Sequence, residues 1–268
     1  MTEELVSEGS PRRFSHTQFD PGSLADSKGN RRISVCIPAR NEEATVGSVV
    51  AAITSTLTGR PGGVPLVDEV LVIDDGSRDQ TADAARGAGA RVVPSDAAGG
   101  GKGQAMATAL GASEGDLVVF VDADITNFGP HFVTGLLGPL LGDESLALVK
   151  GHYRRPLQGD VDGGGRVTEL MARPLIDVLF PFLASIEQPL AGETAAPRSV
   201  LEKCGLADGY AVELALLVDV ATLFGVERIA QVDLGTRIHR NRPLSELRPQ
   251  STDVLRAALA RAAIIDRD

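Results

Sequence analysis

The sequence predicts an α/β protein built on a mostly parallel sheet with helices on both faces. Three observations predict it. Short apolar runs alternate with helical patterns from Arg32 onward. The runs are continuously apolar, as in strands covered on both faces. One of them, DLVVFV at 116–121, runs straight into Asp122-Ala123-Asp124. Ligands of open α/β sheets bind just outside the carboxyl ends of such strands. Two acids one residue apart at that edge form a hard oxygen site. Such a site suits Mg²⁺ or Mn²⁺ shared with substrate phosphates. A phosphate-bearing donor, most simply a nucleotide sugar, is the substrate this implies.

The elements follow in order. Residues 1–31 are polar and read as a flexible N-terminal arm. ISVCIP at 33–38 is a strand, and Asn41-Glu42-Glu43 opens a helix over 44–56. VDEVLVID at 67–74 is the second strand, turned by Asp75-Gly76-Ser77. A helix over 79–87 has an acidic first turn that suits the macrodipole. A third strand covers 90–94, and a Gly-rich loop at 99–103 leads to a helix over 104–112 and the strand 116–121. Beyond it, the sequence predicts a strand at 147–153 and a helix over 167–179 bent at Pro174. An amphipathic helix over 209–224, a strand at 229–234 and a terminal helix over 253–263 complete the reading. Residues 32–155 form a nucleotide-binding unit and 156–268 an acceptor-binding half.

Composition excludes several functions. The net charge of −10 and the absence of Trp argue against a nucleic-acid surface, which needs a basic footprint and stacking groups. No stretch approaches 18 apolar residues, so no membrane insertion is expected. The N-terminus lacks an apolar signal core, and Cys36 and Cys204 read as free thiols in a reducing compartment. A cytoplasmic protein is the expectation.

Several motifs carry chemistry. Pro38-Ala39-Arg40-Asn41-Glu42-Glu43 places amides and a carboxylate at the sheet edge, where a base or ribose can bind; a plain capped helix start is the alternative. Asp74 or Asp75 can bond a ribose or simply shape a turn. GGGKG at 99–103 is not a P-loop, because Gly103 replaces the hydroxyl residue, yet Lys102 can neutralise a diphosphate. GGGRVTE at 163–169 joins free amides, a helix start and the Arg166 guanidinium into an anion site. Glu213 lies in an apolar helix, and taken singly it is expected on the exposed stripe. Arg237 to Arg242 hold three arginines, Asn241 and a metal-capable His239.

In order, PARNEE, DDGS, GGGKG, VDAD, GGGRVTEL, QPLAGE, GYAVE and RIHRNRPL resemble the retaining GT-A glycosyltransferases of the actinobacterial glucosyl-3-phosphoglycerate synthase family. The resemblance spans about residues 32–250. It implies a GT-A-like fold and a homodimer. It implies transfer of glucose from UDP-glucose to the 2-hydroxyl of 3-phospho-D-glycerate, a step toward methylglucose lipopolysaccharide or glucosylglycerate. Pro38, Ala39, Arg40, Asn41 and Glu42 then hold the nucleotide, with Ser77 nearby. Lys102 faces the donor phosphates and ribose. Asp122 and Ala123 lie on the ribose side, and Asp124 with His239 binds Mg²⁺ or Mn²⁺. Gly165, Arg166, Val167, Thr168 and Asn241 hold the acceptor's phosphate and carboxylate. Tyr210 and Glu213 surround the glucose, and Glu213, Asp124 and Lys102 are the catalytic candidates. The loops before Gly101 and between Pro156 and Gly163 are shorter than the family pattern, and the chain ends sooner than typical members. Rival readings are a mannosyl-3-phosphoglycerate synthase using GDP-mannose, a sugar nucleotidyltransferase, and a nucleotide-sugar sensor. The nucleotidyltransferase would need its Gly-rich loop where PARNEE stands.

Overall fold

The structure, a computed structural model, describes residues 9–59, 65–156, 165–238 and 244–265. Its sheet has eight strands: β1 (Arg12–Ser15), β2 (Ile33–Ala39), β3 (Glu69–Asp74), β4 (Arg91–Pro94), β5 (Leu117–Phe120), β6 (Leu148–Arg154), β7 (Thr194–Pro197) and β8 (Ile229–Thr236). The order is β1-β8-β6-β7-β5-β2-β3-β4. All pairs are parallel except those of β7, which runs against both β5 and β6.

The helices are α1 (Pro21–Ser27), α2 (Val46–Leu57), α3 (Thr81–Gly87), α4 (Lys102–Ala112), α5 (His131–Gly142), α6 (Arg173–Leu179), α7 (Arg198–Cys204), α8 (Val212–Phe224) and α9 (Leu244–Ile265). The apolar strands divide their side chains by parity, because successive residues point to opposite faces. Val35, Ile37, Val70, Val72 and Val119 pack on one face against α1, α2, α3 and α5. Cys36, Leu71, Ile73, Val118 and Phe120 pack on the other against α4 and α6 to α9. Both faces are therefore dry, which explains the unbroken apolar runs. The expected α/β class and the predicted strands of residues 33–121 are borne out.

Several expectations are corrected. The supposed arm contributes β1, which pairs Phe14 with Val232, and α1, which Asp20 caps by accepting from the Ser23 amide at 2.9 Å. Its polarity on average hides Phe14, Phe19 and Leu24, which join the core. The Phe19 ring lies directly over Gly138 of α5, where a β-carbon would collide with it. The helix over 209–224 is not amphipathic. Residues 212–218 of α8 are all buried, as in an interior helix. The segment 167–179 is a π-turn, Thr168–Ala172, followed by α6 with Pro174 in its first turn. The wider turn avoids the clash of the proline ring with the carbonyl four residues back. Helix α9 starts before the predicted residue 253 and carries Pro249 inside it. α5, β7 and α7 had no counterpart in the sequence reading.

Candidate active site

Strands β2, β3, β5, β6 and β8 all point the same way, so their carboxyl ends share one edge. Arg40, Asp75, Asp122, Arg155 and Arg237 emerge there. Because β7 runs in reverse, its amino end, Gly192-Glu193, meets the same edge. These residues line or back a cleft of about 780 Å³.

At its centre Lys102 Nζ donates to Asp122 Oδ1 at 2.5 Å and lies 2.6 Å from Glu213 Oε1. Glu213 is buried, so its expected place on an exposed stripe is corrected. An ammonium that reaches back from the start of α4 makes that burial tolerable. Glu213 Oε2 is buried and has no hydrogen-bond partner among the described residues. Burial works against the Lys102 ammonium, but the Asp122 and Glu213 carboxylates outweigh it and hold its pKa well above the usual value. Burial also opposes the Asp122 carboxylate, yet Lys102 and Arg237 keep it below the ordinary range.

Arg237 closes the other side. Its Nη2 lies 2.7 Å from both Asp122 Oδ2 and Asp124 Oδ1. Its Nη1 donates to the Tyr153 hydroxyl at 2.9 Å, and the buried Glu193 stands 3.6 Å from its Nε. A buried lysine, Lys150, donates to the Ala191 carbonyl at 2.7 Å. Burial pushes its pKa down to about 8.

The Gly-rich loop is fixed by Asp75, whose carboxylate accepts from the Gly99 amide at 2.8 Å and the Gly101 amide at 3.1 Å. Asp74 accepts from the Ser77 amide at 3.0 Å. Both acids thus shape turns. Gly101, at φ +88°, takes a backbone conformation that side chains rarely adopt, and it sits against Gly209. Gly192 is required by space: a β-carbon there would overlap Asp122 Oδ1 and Lys102 Nζ. Gly192→Ala is expected to cut activity at least about tenfold by displacing both groups by fractions of an ångström. Steady-state kinetics beside an unchanged circular-dichroism spectrum check this.

Of the predicted residues, Pro38, Ala39, Arg40, Glu42, Lys102, Asp122, Ala123, Asp124, Gly165, Arg166, Val167, Thr168, Tyr210 and Glu213 all line the one cleft. Asn41 and Ser77 do not. Asn41, at φ +57°, receives the Arg78 amide and donates its own to Ser77 Oγ, so the pair staples two turns behind the rim. The expected metal ligand His239 and the acceptor residue Asn241 lie outside the described residues. Among the described residues no group of three or more His, Cys, Asp or Glu gathers as a metal cluster. The sequence reading gave no role to Arg155, Glu193 or Arg237. QPLAGE and RIHRNRPL, the motifs that contain Glu193 and Arg237, were the available signal.

A profile of glycosyl transferase family 2 matches residues 34–162. Glucosyl-3-phosphoglycerate synthase of Mycobacterium tuberculosis (strain ATCC 25618 / H37Rv) is 48% identical over 258 residues, covering 91% of this chain and 78% of that protein. The chain belongs to the glucosyl-3-phosphoglycerate synthase family. A crystal structure of the M. tuberculosis synthase with Mn²⁺, UDP-glucose and phosphoglyceric acid superimposes with a TM-score of 0.86 at 43% identity, over 95% of this chain and 88% of that one. Another, with Mg²⁺ and UDP, gives 0.86 at 43%, over 94% and 87%. The expected family and its GT-A-like α/β fold are thereby borne out for this glycosyltransferase. No helix among the described residues is long and apolar enough to cross a membrane.

Proposed function

We propose that this chain transfers glucose from UDP-glucose to the 2-hydroxyl of 3-phospho-D-glycerate with retention at the anomeric carbon. One observation carries the reading. A single cleft holds the carboxylate–lysine cluster of Asp122, Asp124, Lys102 and Glu213 together with the Gly165-Arg166-Val167-Thr168 segment. Family membership supports it, since relatives bear that name and a solved relative holds both substrates.

Residues 32–155 serve the donor, with Pro38, Ala39, Arg40 and Glu42 around the nucleotide. Residues 156–268 supply the acceptor segment, where Arg166 and the amides around Thr168 meet the acceptor's phosphate and carboxylate. The site fits a divalent ion: two hard carboxylates already converge on one cationic nitrogen, 2.7 Å from each. Asp124 would hold Mg²⁺ or Mn²⁺ with His239, and that ion would neutralise charge gathering on departing UDP. Lys102 fixes Asp122 and Glu213 in place and adds positive charge beside the diphosphate. Preorganised charge of this kind supplies most of the rate enhancement in many enzymes.

Holding the acceptor hydroxyl against the anomeric carbon supplies up to ~7–11 kcal/mol. On the front face, the bond from C1 to the β-phosphate oxygen breaks as the bond to the acceptor's 2-oxygen forms. The hydroxyl proton passes to the departing phosphate oxygen. Glu213 Oε2, buried and without a hydrogen-bond partner among the described residues, is suited to a sugar hydroxyl. Glu213→Gln retains that acceptor through its amide oxygen, so kcat is expected to fall by less than about tenfold. A Glu213→Gln enzyme that keeps near-normal kcat excludes a nucleophile, and a trapped glycosyl-enzyme would show one instead. The chain works in the cytoplasm as a homodimer.

The test of the reading is a donor panel with 3-phosphoglycerate. UDP-glucose is expected to be turned over at least about tenfold more efficiently than ADP-glucose, GDP-glucose or GDP-mannose. Preference for GDP-mannose would make the chain a mannosyl transferase, and no transfer to 3-phosphoglycerate from any donor would overturn the assignment.

A further inference from the structure

Tyr153 lies behind the cleft and bonds both Arg155 and Arg237, which line it. It lies on β6 and is 3% exposed. Among the described residues its hydroxyl has three partners. It donates to Glu193 Oε2 at 2.5 Å and accepts from Arg155 Nη2 and Arg237 Nη1, each at 2.9 Å. Both guanidiniums also lie near its ring, 4.9 Å and 5.3 Å from the centroid.

The two arginines face different ends. Arg237 bridges Asp122 and Asp124. Arg155 lines the cleft beside Gly165 and Thr168, and a second polar recess of about 500 Å³ adjoins it there. Arg155 Nε is buried with no hydrogen-bond partner among the described residues, so this cation keeps a donor in reserve. Two guanidiniums side by side repel, and neither can shed its proton. One phenolic oxygen offers two lone pairs, and the arginines take both. Glu193 balances the charge from behind. Burial raises the phenol's pKa, which keeps it a donor to Glu193. A shift of either guanidinium therefore changes the bond available to the other.

We propose that Tyr153 is a positioning residue that couples the donor and acceptor ends: through its hydroxyl, the placement of Arg237 at the carboxylate pair sets that of Arg155 at the acceptor segment, so nucleotide and acceptor bind cooperatively. The proposal rests on the donor and acceptor assignment above. Coupling of this kind is reciprocal, so each ligand tightens the other by the same factor.

Calorimetry with 3-phosphoglycerate, in the presence and absence of UDP plus Mn²⁺, tests it on the full chain. In the unaltered protein UDP plus Mn²⁺ is expected to tighten 3-phosphoglycerate about tenfold. Tyr153→Phe keeps the ring and removes the hydroxyl, and the ratio is expected to fall below about twofold. A ratio of affinities does not depend on the active fraction, so partial misfolding does not mimic the result. Arg155→Lys spares the Tyr153–Glu193 bond and carries the same expectation if Tyr153→Phe fails to fold. An unchanged ratio in a folded variant, or no coupling in the unaltered chain, overturns the proposal alone. An unaltered chain that binds neither UDP nor 3-phosphoglycerate overturns the functional reading beneath it.

Discussion

Asp124→Asn is expected to lower kcat by about 10²–10³ or more, with Mn²⁺ affinity falling in parallel. The substitution keeps the size of the side chain and removes its charge. Asp124 is held by Arg237 at 2.7 Å, on the turn that β5 feeds. The fold does not depend on it, since Val118, Val119 and Phe120 remain buried on both faces. Calorimetric titration of Mn²⁺ into the UDP complex separates loss of the metal from loss of turnover. Chelation of the unaltered chain should reproduce the kinetic defect, and added Mg²⁺ should reverse it. An Asp124→Asn protein that retained both Mn²⁺ binding and activity would remove Asp124 from the metal site.

Lys102→Met is expected to damage both stability and catalysis. The methionine fills the space but leaves Asp122 and Glu213 without their shared ammonium, which now lies 2.5 and 2.6 Å from them. Removing one partner of a buried pair costs about 3–5 kcal/mol, because a charge is left uncompensated. The melting temperature should fall about 2–4 °C for each kcal/mol. Loss of the cation beside the diphosphate should cut kcat by a further ~10²-fold. Adding Glu213→Gln neutralises one stranded carboxylate, so the double variant should regain part of the lost stability and none of the lost rate. Thermal melts and kinetics on the four proteins of the cycle distinguish the two effects.

Much of the carboxylate edge of the cleft was legible because its signals are local. A strand buried on both faces must be apolar throughout, and DLVVFVDAD shows where burial stops. Lys102 follows glycines that admit a close approach. The segment 165–168 of the cleft wall was legible for the same reason, through a Gly-rich loop, an arginine and a helix start in succession. What could not be read depends on pairing over distance. Glu213 reads as surface from its helix alone, and Lys102, far earlier in the chain, makes its burial tolerable. Glu193 reaches the site because β7 is antiparallel, a direction no local pattern encodes. The N-terminal segment was misread because three apolar anchors are diluted among polar neighbours. Asn41 and Ser77 fit the motif, and their hydrogen bonds join two turns beside the cleft.

Glucose transfer to 3-phosphoglycerate is tested most directly by a ³¹P NMR time course with UDP-glucose, 3-phosphoglycerate and Mg²⁺ in one tube. UDP and a new phosphate monoester are expected to appear in equal amounts, at a rate that requires 3-phosphoglycerate and stops on chelation. Pyrophosphate as product, or UDP released equally fast without 3-phosphoglycerate, would contradict glucosyl transfer to that acceptor.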